Sequence, residues 1–146
     1  MTTNEKIVLA AFRAVEQRDT AGLHALYHPD VEFHWPLSLP YGGSTRGRDA
    51  LVPDGHPTWR STWDPLQRSD AERRMDPRVV ASAGSEVVVL YRQRAVDSEG
   101  RQLDAPCLGL YEVRDALFAR AQMFYFDTAE LVAFLARAQA KGQRAM

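Results

Sequence analysis

The chain has little of several features that mark common functional classes. Cys107 is the only cysteine among 146 residues, so no internal disulfide can form, which fits a reducing compartment such as the cytoplasm. The formal net charge is only -1, with both signs mixed along the sequence, which argues against nucleic acid or an anionic membrane as a partner. The densest apolar run, Val87–Tyr91, is too short to span a membrane, and no signal peptide is predicted.

The short motifs of several enzyme classes are missing too. The sequence contains no glycine-rich phosphate loop, no zinc-ligand spacing and no nucleophile elbow. His24 and His28 are one helical turn apart, but no third ligand accompanies them, so neither a metal site nor a cofactor is predicted.

The residues that are present favour one domain over 1–146 with a sizeable core. Hydrophobic residues make up 45% of the chain and aromatic residues 10%. Thr2 and Glu5 form a capping-box signature for a first helix. The predicted elements are a helix over about 4–18, a short helix ended by Pro29, a strand over Val31–Trp35, a loop over Ser38–Gly47, and strands over Val79–Ala83, Glu86–Val96, Arg101–Arg114 and Leu117–Phe126.

Two further segments refine this prediction of the elements. Ala121–Leu135 reads as a strand that runs straight into an amphipathic closing helix, with Asp127 as its cap. Arg48–Asp76 is broken by Pro53, Pro57 and Pro65, and only a short helical piece holding Trp59 and Trp63 is predicted there. Helices followed by a run of antiparallel strands indicate the α+β class.

This order of elements, with NEKIVLAAFRAVEQRDTAGLHALYHPDVEF near the start and GLYEVRDALFARAQMFYFD near the end, resembles the NTF2-like superfamily. Within it the chain is similar to SnoaL-like polyketide cyclases, limonene epoxide hydrolase and ketosteroid isomerase. The resemblance covers nearly all of the chain except Arg48–Asp76. It implies a cone in which a curved antiparallel sheet wraps around a pocket, closed by N-terminal helices and a C-terminal helix. A homodimer is expected.

The resemblance also implies which strand positions face the pocket. They are Phe33 and Trp35 on the first strand, Leu90, Arg92 and Arg94 on a middle strand, Ala105, Cys107, Gly109 and Tyr111 on the next, and Gln122, Phe124 and Phe126 on the last. The carboxylate positions of the relatives hold Trp35, Arg92, Gly109 and Phe124 here. Epoxide hydrolysis and ketosteroid-type isomerisation are therefore disfavoured.

Four polar residues are the candidates for chemistry. Arg92 and Gln122 would stabilise negative charge on a carbonyl oxygen. Glu32 and His34 are two apart on a strand and would move a proton if their shared face points inward. The clean alternation of the apolar residues Val31, Phe33 and Trp35 favours the opposite arrangement, with the Glu32–His34 face outside.

The predicted pocket is apolar with sparse polar groups, which suits a hydrophobic small molecule. Its predicted substrate-binding residues are Phe12, Phe33, Trp35, Tyr41, Trp59, Trp63, Leu90, Cys107, Tyr111, Phe124 and Phe126.

Three functions remain open at this point. The first is a cofactor-independent enzyme, resembling a polyketide-type cyclase or isomerase, that acts on a hydrophobic carbonyl-containing natural-product intermediate and works largely by holding it in a reactive conformation. The second is a non-catalytic binding or carrier protein for such a molecule. The third is an interaction subunit, in which the outer sheet face with Glu32, His34, Asp104 and Pro106 forms a dimer or partner surface.

Overall fold

The computed structural model describes the backbone of residues 1–51 and 58–145 and the side chains of residues 1–50 and 58–140. Pro53 and Pro57, which were predicted to break a helix, lie outside the described residues. The elements are α1 (Thr3–Glu16), α2 (Thr20–Leu26), β1 (Tyr27–Trp35), β2 (Gly43–Arg46), α3 (Arg48–Leu51), α4 (Trp59–Trp63), a 3-10 turn (Asp64–Leu66), α5 (Asp70–Arg73), β3 (Arg78–Ala83), β4 (Glu86–Val96), β5 (Gln102–Arg114), β6 (Leu117–Tyr125) and α6 (Thr128–Ala145).

Side-chain caps fix the first and last helices as predicted. The Thr2 hydroxyl accepts a hydrogen bond from the Glu5 amide at 3.1 Å, and the Glu5 carboxylate accepts one from the Thr2 amide at 3.3 Å. This reciprocal pair satisfies two amide groups that a helix start otherwise leaves without partners. At the other end, the Asp127 carboxylate accepts from the Glu130 amide at 3.3 Å and begins α6.

The described strands form one curved, open sheet in the order β2-β1-β6-β5-β4-β3. The class is α+β with an NTF2-like arrangement, as predicted, but the sheet is mixed, because β1 pairs with β6 in parallel. The other pairings are antiparallel. The β1 register is irregular between Tyr27 and Glu32, where Pro29 cannot donate a ladder hydrogen bond.

The segment Ser38–Gly47 is more ordered than the loop that was predicted. Gly43–Arg46 forms the edge strand β2, which pairs with β1. Gly43 and Gly47 bracket this strand with φ angles of +104° and +97°, a conformation that glycine adopts without steric cost. The glycines therefore mark the two reversals of the chain, and the four residues Gly43–Arg46 are enough for an edge strand.

The two faces of the sheet differ in what covers them. We call the face under α1 and α4 the inner face and the opposite one the outer face. On β4 the buried inner residues are Val87, Val89, Tyr91, Gln93 and Ala95, and on β5 they are Leu103, Ala105, Cys107, Gly109, Tyr111 and Val113. β6 contributes Ala121, Met123 and Tyr125 to the same face. The core lies between these strands and the helices.

Candidate functional site

A cavity lies between the inner face of the sheet and the helices. Its volume is about 60 Å³. It is lined by Ala11, Phe12, Val15, Leu23, Tyr27, Phe33, Trp35, Trp59, Met75, Tyr91, Tyr111, Phe118 and Met123. These residues belong to three helices, α1, α2 and α4, to the strands β1, β4, β5 and β6, and to the segment after α5. The cavity therefore exists only where the helices meet the sheet. No Asp, Glu, His, Lys or Arg occurs among these described lining residues.

Aromatic rings hold the walls in place. Phe12 of α1 contacts Tyr91 and Tyr111 edge-on, with ring centroids 5.1 Å and 5.6 Å away. On the other side, Phe33 stacks on Phe118 at 5.9 Å. Such pairs contribute about 0.5–1.5 kcal/mol each beyond their burial. These ring contacts join α1 to β4 and β5 at the cavity.

A segment that we call the roof, residues 58–76, covers the cavity and supplies Trp59 and Met75 to its lining. Arg18, in the turn after α1, binds this roof. Its guanidinium donates to Asp64 Oδ1 at 2.9 Å and to Gln67 Oε1 at 2.5 Å, and it lies over the Trp59 ring at 5.3 Å. This largely buried arginine attaches the roof to the helical layer, together with hydrogen bonds from the Met75 amide to Glu16 at 2.6 Å and from Arg60 to Thr20 at 3.1 Å.

The polar groups of the lining are hydrogen-bond donors. The indole nitrogens of Trp35 and Trp59 are buried and have no partner in the described part of the chain. Desolvation raises the pKa of Tyr111 well above its ordinary value, and it does the same for Tyr91. Both phenols are therefore protonated at neutral pH. The cavity thus offers two indole N–H groups to an acceptor, whereas the Tyr91 hydroxyl already bonds to the Cys107 thiol, and none of the described lining residues is charged.

A second group of buried phenols lies beside the cavity. The hydroxyls of Tyr41 and Tyr125 are 2.9 Å apart and satisfy each other. Cys107 lies in the same layer, and burial raises the pKa of its thiol to about 12. A thiol in that state is not a nucleophile at neutral pH, because the thiolate is the reactive form. This group contributes to packing.

The structure distributes the predicted substrate-binding residues over three places. Phe12, Phe33, Trp35, Trp59 and Tyr111 line the cavity. Tyr41, Trp63 and Cys107 are buried in the core without lining it. Leu90, Phe124 and Phe126 lie on the outer side of the sheet, where Phe124 is 49% exposed and Phe126 is 86% exposed.

The predicted inward orientation of Leu90, Arg92 and Arg94 is wrong. Residues paired directly across two strands face the same side, and β4 pairs Tyr91 with the inward Cys107. The arginines therefore lie outside. There the Arg92 Nε donates to Asp104 Oδ1 at 2.8 Å.

The same correction applies to the last strand, where Gln122, Phe124 and Phe126 were predicted to face the pocket. β6 pairs Met123 with Gly109 and Tyr125 with Cys107, so Met123 and Tyr125 face inward instead. Each set of alternate residues on this strand contains an aromatic side chain, but Arg120 and Gln122 belong to the outward set and Ala121 and Met123 to the inward one. A shift of one residue exchanges the two faces, and the polar Arg120 and Gln122 were the signal for the observed one.

Glu32 and His34 lie together on the outer face, as the alternation of the β1 apolar residues favoured. His34 Nε2 is 3.5 Å from Glu32 Oε2, and His34 Nδ1 is 2.7 Å from the Ser44 hydroxyl of β2. Arg120 lies on the other side of Glu32, at 3.9 Å. Glu32 and His34 are thus in contact, as their spacing predicted, but the sheet separates them from the cavity. They therefore cannot transfer a proton to a ligand there.

Sequence reasoning missed eight lining residues: Ala11, Val15, Leu23, Tyr27, Met75, Tyr91, Phe118 and Met123. Tyr91 could have been found, because an inward Cys107 and a hairpin at Asp97–Gly100 together place Tyr91 inward. Met75 had no signal, since it belongs to the proline-interrupted region whose path the sequence did not reveal.

The described residues include neither a metal-binding cluster nor a membrane-spanning helix. No group of three or more His, Cys, Asp or Glu side chains there could hold a metal ion. Within the same residues, no helix has the length and apolar character needed to cross a bilayer.

Comparison with known proteins identifies the fold. A family model described as a SnoaL-like domain matches residues 8–121. No curated protein matches the chain. Among solved structures, an NTF2-like protein of unknown function from Burkholderia pseudomallei K96243 is similar at 21% identity and a TM-score of 0.71, over 92% of this chain and 98% of that one.

Two further solved structures that are similar to the chain carry names that mention a bound molecule or an activity. TerC, co-crystallised with polyporic acid, is 22% identical with a TM-score of 0.72, over 92% of this chain and 99% of that one. A protein from Xanthomonas campestris pv. campestris, provisionally assigned as a polyketide cyclase, is 21% identical with a TM-score of 0.65, over 91% of this chain and 96% of that one. At these identities the similarity establishes the fold.

Proposed function

The chain belongs to the SnoaL-like domain family, and from that premise we propose that it binds a small hydrophobic molecule in its inner cavity. The observation that carries the proposal is the lining, in which aromatic and aliphatic side chains surround unpaired donors and no charged side chain is described. Apolar pockets with a few convergent polar groups are the usual form of small-molecule sites. The co-crystallisation of the relative TerC with polyporic acid adds support.

The size of the cavity limits what it accepts without adjustment. Its volume is about 60 Å³, whereas an apolar cavity of about 150 Å³ is known to hold benzene. A ring-sized ligand therefore requires lining side chains to move. Met75 and Met123 are suited to this, because methionine is unbranched and repacks easily. Trp59, on the short helix α4, is the third movable wall.

Nuclear magnetic resonance tests the binding site directly. The chain has three tryptophans, so a nitrogen-labelled sample has three indole N–H signals. Titration with ethylbenzene or acetophenone should shift the signals of Trp35 and Trp59. Trp63 is buried outside the lining and serves as the internal control. If neither lining signal moves, or if all three move equally, the proposed site is wrong.

A cofactor-independent cyclase or isomerase of a natural-product pathway is the second candidate. It is favoured by the protonated phenols of Tyr91 and Tyr111 in the lining and by the relative assigned as a polyketide cyclase. Such an enzyme would hold a carbonyl-containing chain in a reactive conformation and polarise its carbonyl through a phenol. The lining residues that the structure describes include no carboxylate or imidazole base, so the binding function is the better supported of the two.

Turnover measurements separate these two functions. Incubation with aromatic polyketide-like carbonyl compounds, followed by mass spectrometry, should detect cyclised or isomerised product if the protein is an enzyme. Tyr111→Phe should then reduce turnover while binding persists. Arg92→Met should leave turnover unchanged, because Arg92 lies on the outer face with Asp104. Binding without turnover of any such compound would favour a carrier.

The outer face supports a homodimer. Leu90, Pro106, Leu108, Phe124 and Phe126 form an apolar patch there. We call it the outer patch, and three of its members are 41%, 49% and 86% exposed. Charges of both signs flank it, so a second copy meets no net repulsion. Contiguous exposed apolar surface of this kind marks interaction sites, and a two-fold dimer uses one patch on both subunits.

Light scattering combined with size-exclusion chromatography tests the dimer. Phe126→Glu should shift the protein toward the monomer mass, because it places a charge in the centre of an apolar contact. Leu37→Glu is the matched control, since Leu37 is 87% exposed but lies outside the outer patch. A monomeric wild type, or equal effects of both substitutions, would rule out this interface.

Two broader expectations complete the proposal. We expect residues 1–146 to behave as one domain, since strands drawn from Tyr27 to Tyr125 share a single sheet. We also expect a cytoplasmic location, which suits a chain whose single cysteine is a buried free thiol. One cooperative unfolding transition and recovery in the cytoplasmic fraction are the corresponding measurements.

A further inference from the structure

The edge strand β2 adds two polar side chains to the Glu32–His34 pair on the outer face. The register pairs His34 with Ser44 and Glu32 with Arg46. Residues paired directly across two strands face the same side, so all four lie on the outer face. We call these four residues the edge quartet. None of them lines the inner cavity or belongs to the outer patch.

Within the edge quartet, an imidazole lies between a hydroxyl and a carboxylate. His34 Nδ1 is 2.7 Å from Ser44 Oγ, and His34 Nε2 is 3.5 Å from Glu32 Oε2. An ionised carboxylate can only accept hydrogen bonds, so Glu32 favours the imidazole tautomer that carries its proton on Nε2. Nδ1 is then the acceptor, and the Ser44 hydroxyl donates to it. This is the arrangement in which a base activates a serine for nucleophilic attack.

The contact between His34 and Glu32 has room to tighten. The His34 Nε2 atom is buried and has no hydrogen-bond partner in the described part of the chain. Glu32 faces it at ion-pair distance, and its other contacts, with Arg46 at 3.7 Å and Arg120 at 3.9 Å, are also long. Contacts between catalytic groups are often long without substrate and shorten when charge develops on them. Positive charge on His34 would therefore draw Glu32 closer.

Arg46 supplies a cation beside the hydroxyl. It lies two residues from Ser44 on the same strand face, which is about 7 Å along the strand. Its side chain is 69% exposed and can reach over that distance. A guanidinium in this position would stabilise negative charge that develops on a carbonyl oxygen. Ser44 is exposed as well, so a small acyl group and water both reach it.

We propose that the edge quartet is a second, hydrolytic site at which esters of small acyl groups acylate Ser44. Ser44 is the nucleophile, His34 the general base, Arg46 the group that stabilises the oxyanion, and Glu32 the positioning residue that holds the His34 tautomer. The inference does not rest on the proposed binding function, because the sheet lies between the edge quartet and the inner cavity.

The reaction has two stages. The Ser44 oxygen forms a bond to the ester carbonyl carbon while its proton passes to His34 Nδ1. The bond to the alcohol then breaks, and the alcohol leaves with the proton from His34. In the second stage water attacks the acyl group on Ser44 and gives its proton to His34. The carboxylic acid is released, and the proton returns to the Ser44 oxygen.

The probe is p-nitrophenyl acetate. Absorbance follows the release of p-nitrophenolate, and mass spectrometry of acid-quenched, digested samples locates the acetyl group. A positioned base contributes about 10²–10⁴-fold, so Ser44→Ala should release p-nitrophenolate at least about tenfold more slowly and lose the acetylated peptide. Ser82→Ala is the matched control, because Ser82 is an exposed serine on the opposite edge strand, β3. It should keep the wild-type rate.

Variants of the other three residues make the result specific. His34→Gln keeps an acceptor for the Ser44 hydroxyl but no base, so its rate should fall as far as that of Ser44→Ala. Added imidazole should restore part of the rate in His34→Ala. Arg46→Met should lower the rate about two- to tenfold. Glu32→Ala should also lower it, and Glu32→Asp should recover part of the loss, since it keeps the carboxylate.

The three indole N–H signals of each variant check that its fold is intact. The inference is wrong if Ser44→Ala or His34→Gln keeps the wild-type rate, if Ser82→Ala loses as much as Ser44→Ala, or if the acetyl group is found only on amino groups. Each of these results leaves the proposed binding function untouched, because that function is measured by the tryptophan titrations at the inner cavity.

Discussion

Arg18→Met is the substitution that tests the attachment of the roof most directly. The Arg18 guanidinium donates to Asp64 at 2.9 Å, to Gln67 at 2.5 Å and to the Val15 carbonyl at 2.7 Å. Its side chain is only 12% exposed. Methionine has a similar length and no donors, and the residue keeps the same requirement for a left-handed backbone, with φ at 55° in the wild type. The substitution therefore removes these hydrogen bonds and the contact of the guanidinium with the Trp59 ring, while the length of the side chain is kept.

The expected loss of stability follows from what each partner does without Arg18. Asp64 is 41% exposed, so water replaces its lost partner at modest cost. Gln67 is only 3% exposed, and its Oε1 would be left without its donor from Arg18. An unsatisfied buried acceptor costs about 1–3 kcal/mol, and a hydrogen bond to a charged group contributes about 1.5–3 kcal/mol. With solvation of Asp64 offsetting part of the sum, we expect a decrease of about 2–4 kcal/mol in the free energy of unfolding.

Urea unfolding followed by tryptophan fluorescence measures this decrease. The midpoint should fall while the dependence on urea concentration stays the same. Arg46→Met is the matched control: Arg46 is 69% exposed and 3.7 Å from Glu32, and exposed pairs of this kind contribute less than about 1 kcal/mol. If Arg18→Met destabilises no more than Arg46→Met, the roof is not held by Arg18. A shift of the Trp59 indole signal in Arg18→Met would locate the change at the cavity.

Two other sites give independent predictions. The Asp97 carboxylate accepts from the amides of Glu99 and Arg101 at 2.9 Å each and from the Arg101 guanidinium at 2.8 Å, so Asp97→Asn should cost about 1–2 kcal/mol in thermal unfolding. Desolvation raises the pKa of Asp97, but these hydrogen bonds outweigh it and leave the pKa below its ordinary value. The stabilisation by the Asp97 carboxylate is therefore present above the pKa of the unfolded state and is lost as the pH falls through the pKa of the folded state. The difference in stability between wild type and Asp97→Asn should then shrink in acid. A difference that grew in acid would contradict this. Burial raises the pKa of Cys107 to about 12, so iodoacetamide at about pH 8 should label the unfolded but not the folded protein, as intact mass spectrometry would show.

The sequence predicted the elements whose signals are local. The Thr2–Glu5 capping box and the Asp127 cap depend on residues within one helical turn, and both are present. Both capping signals depend on a few adjacent residues and need no knowledge of a partner strand. The inward face of β5 was also correct, but it was implied by the family resemblance, since the outward neighbours of Cys107 and Tyr111 include the apolar Leu108 and Leu110.

The faces of β4 and β6 were not predictable in the same way. On β6 an aromatic residue occurs in each alternate set, Tyr125 in one and Phe124 in the other, and only the polar Arg120 and Gln122 mark the outward set. On β4 one clue existed, since Arg94 is paired directly with Asp104 across the hairpin. Burial of an opposite-charge pair costs free energy because both charges lose water. Such a pair on neighbouring strands is therefore favoured on the solvent-facing side, which places the arginines outside. As a result, the cavity contains Tyr91 where an arginine was expected.

The parallel pairing of β1 with β6 has a consequence for how the chain folds. β4, β5 and β6 are joined by short hairpins, so their contacts form between neighbours in sequence. The β1–β6 pairing instead joins Glu32 to Arg120, close to opposite ends of the chain. Contacts between distant residues require closure of a long loop and slow folding. During synthesis β1 must wait for β6, so we expect the cavity wall that they share to be the last part of the molecule to form.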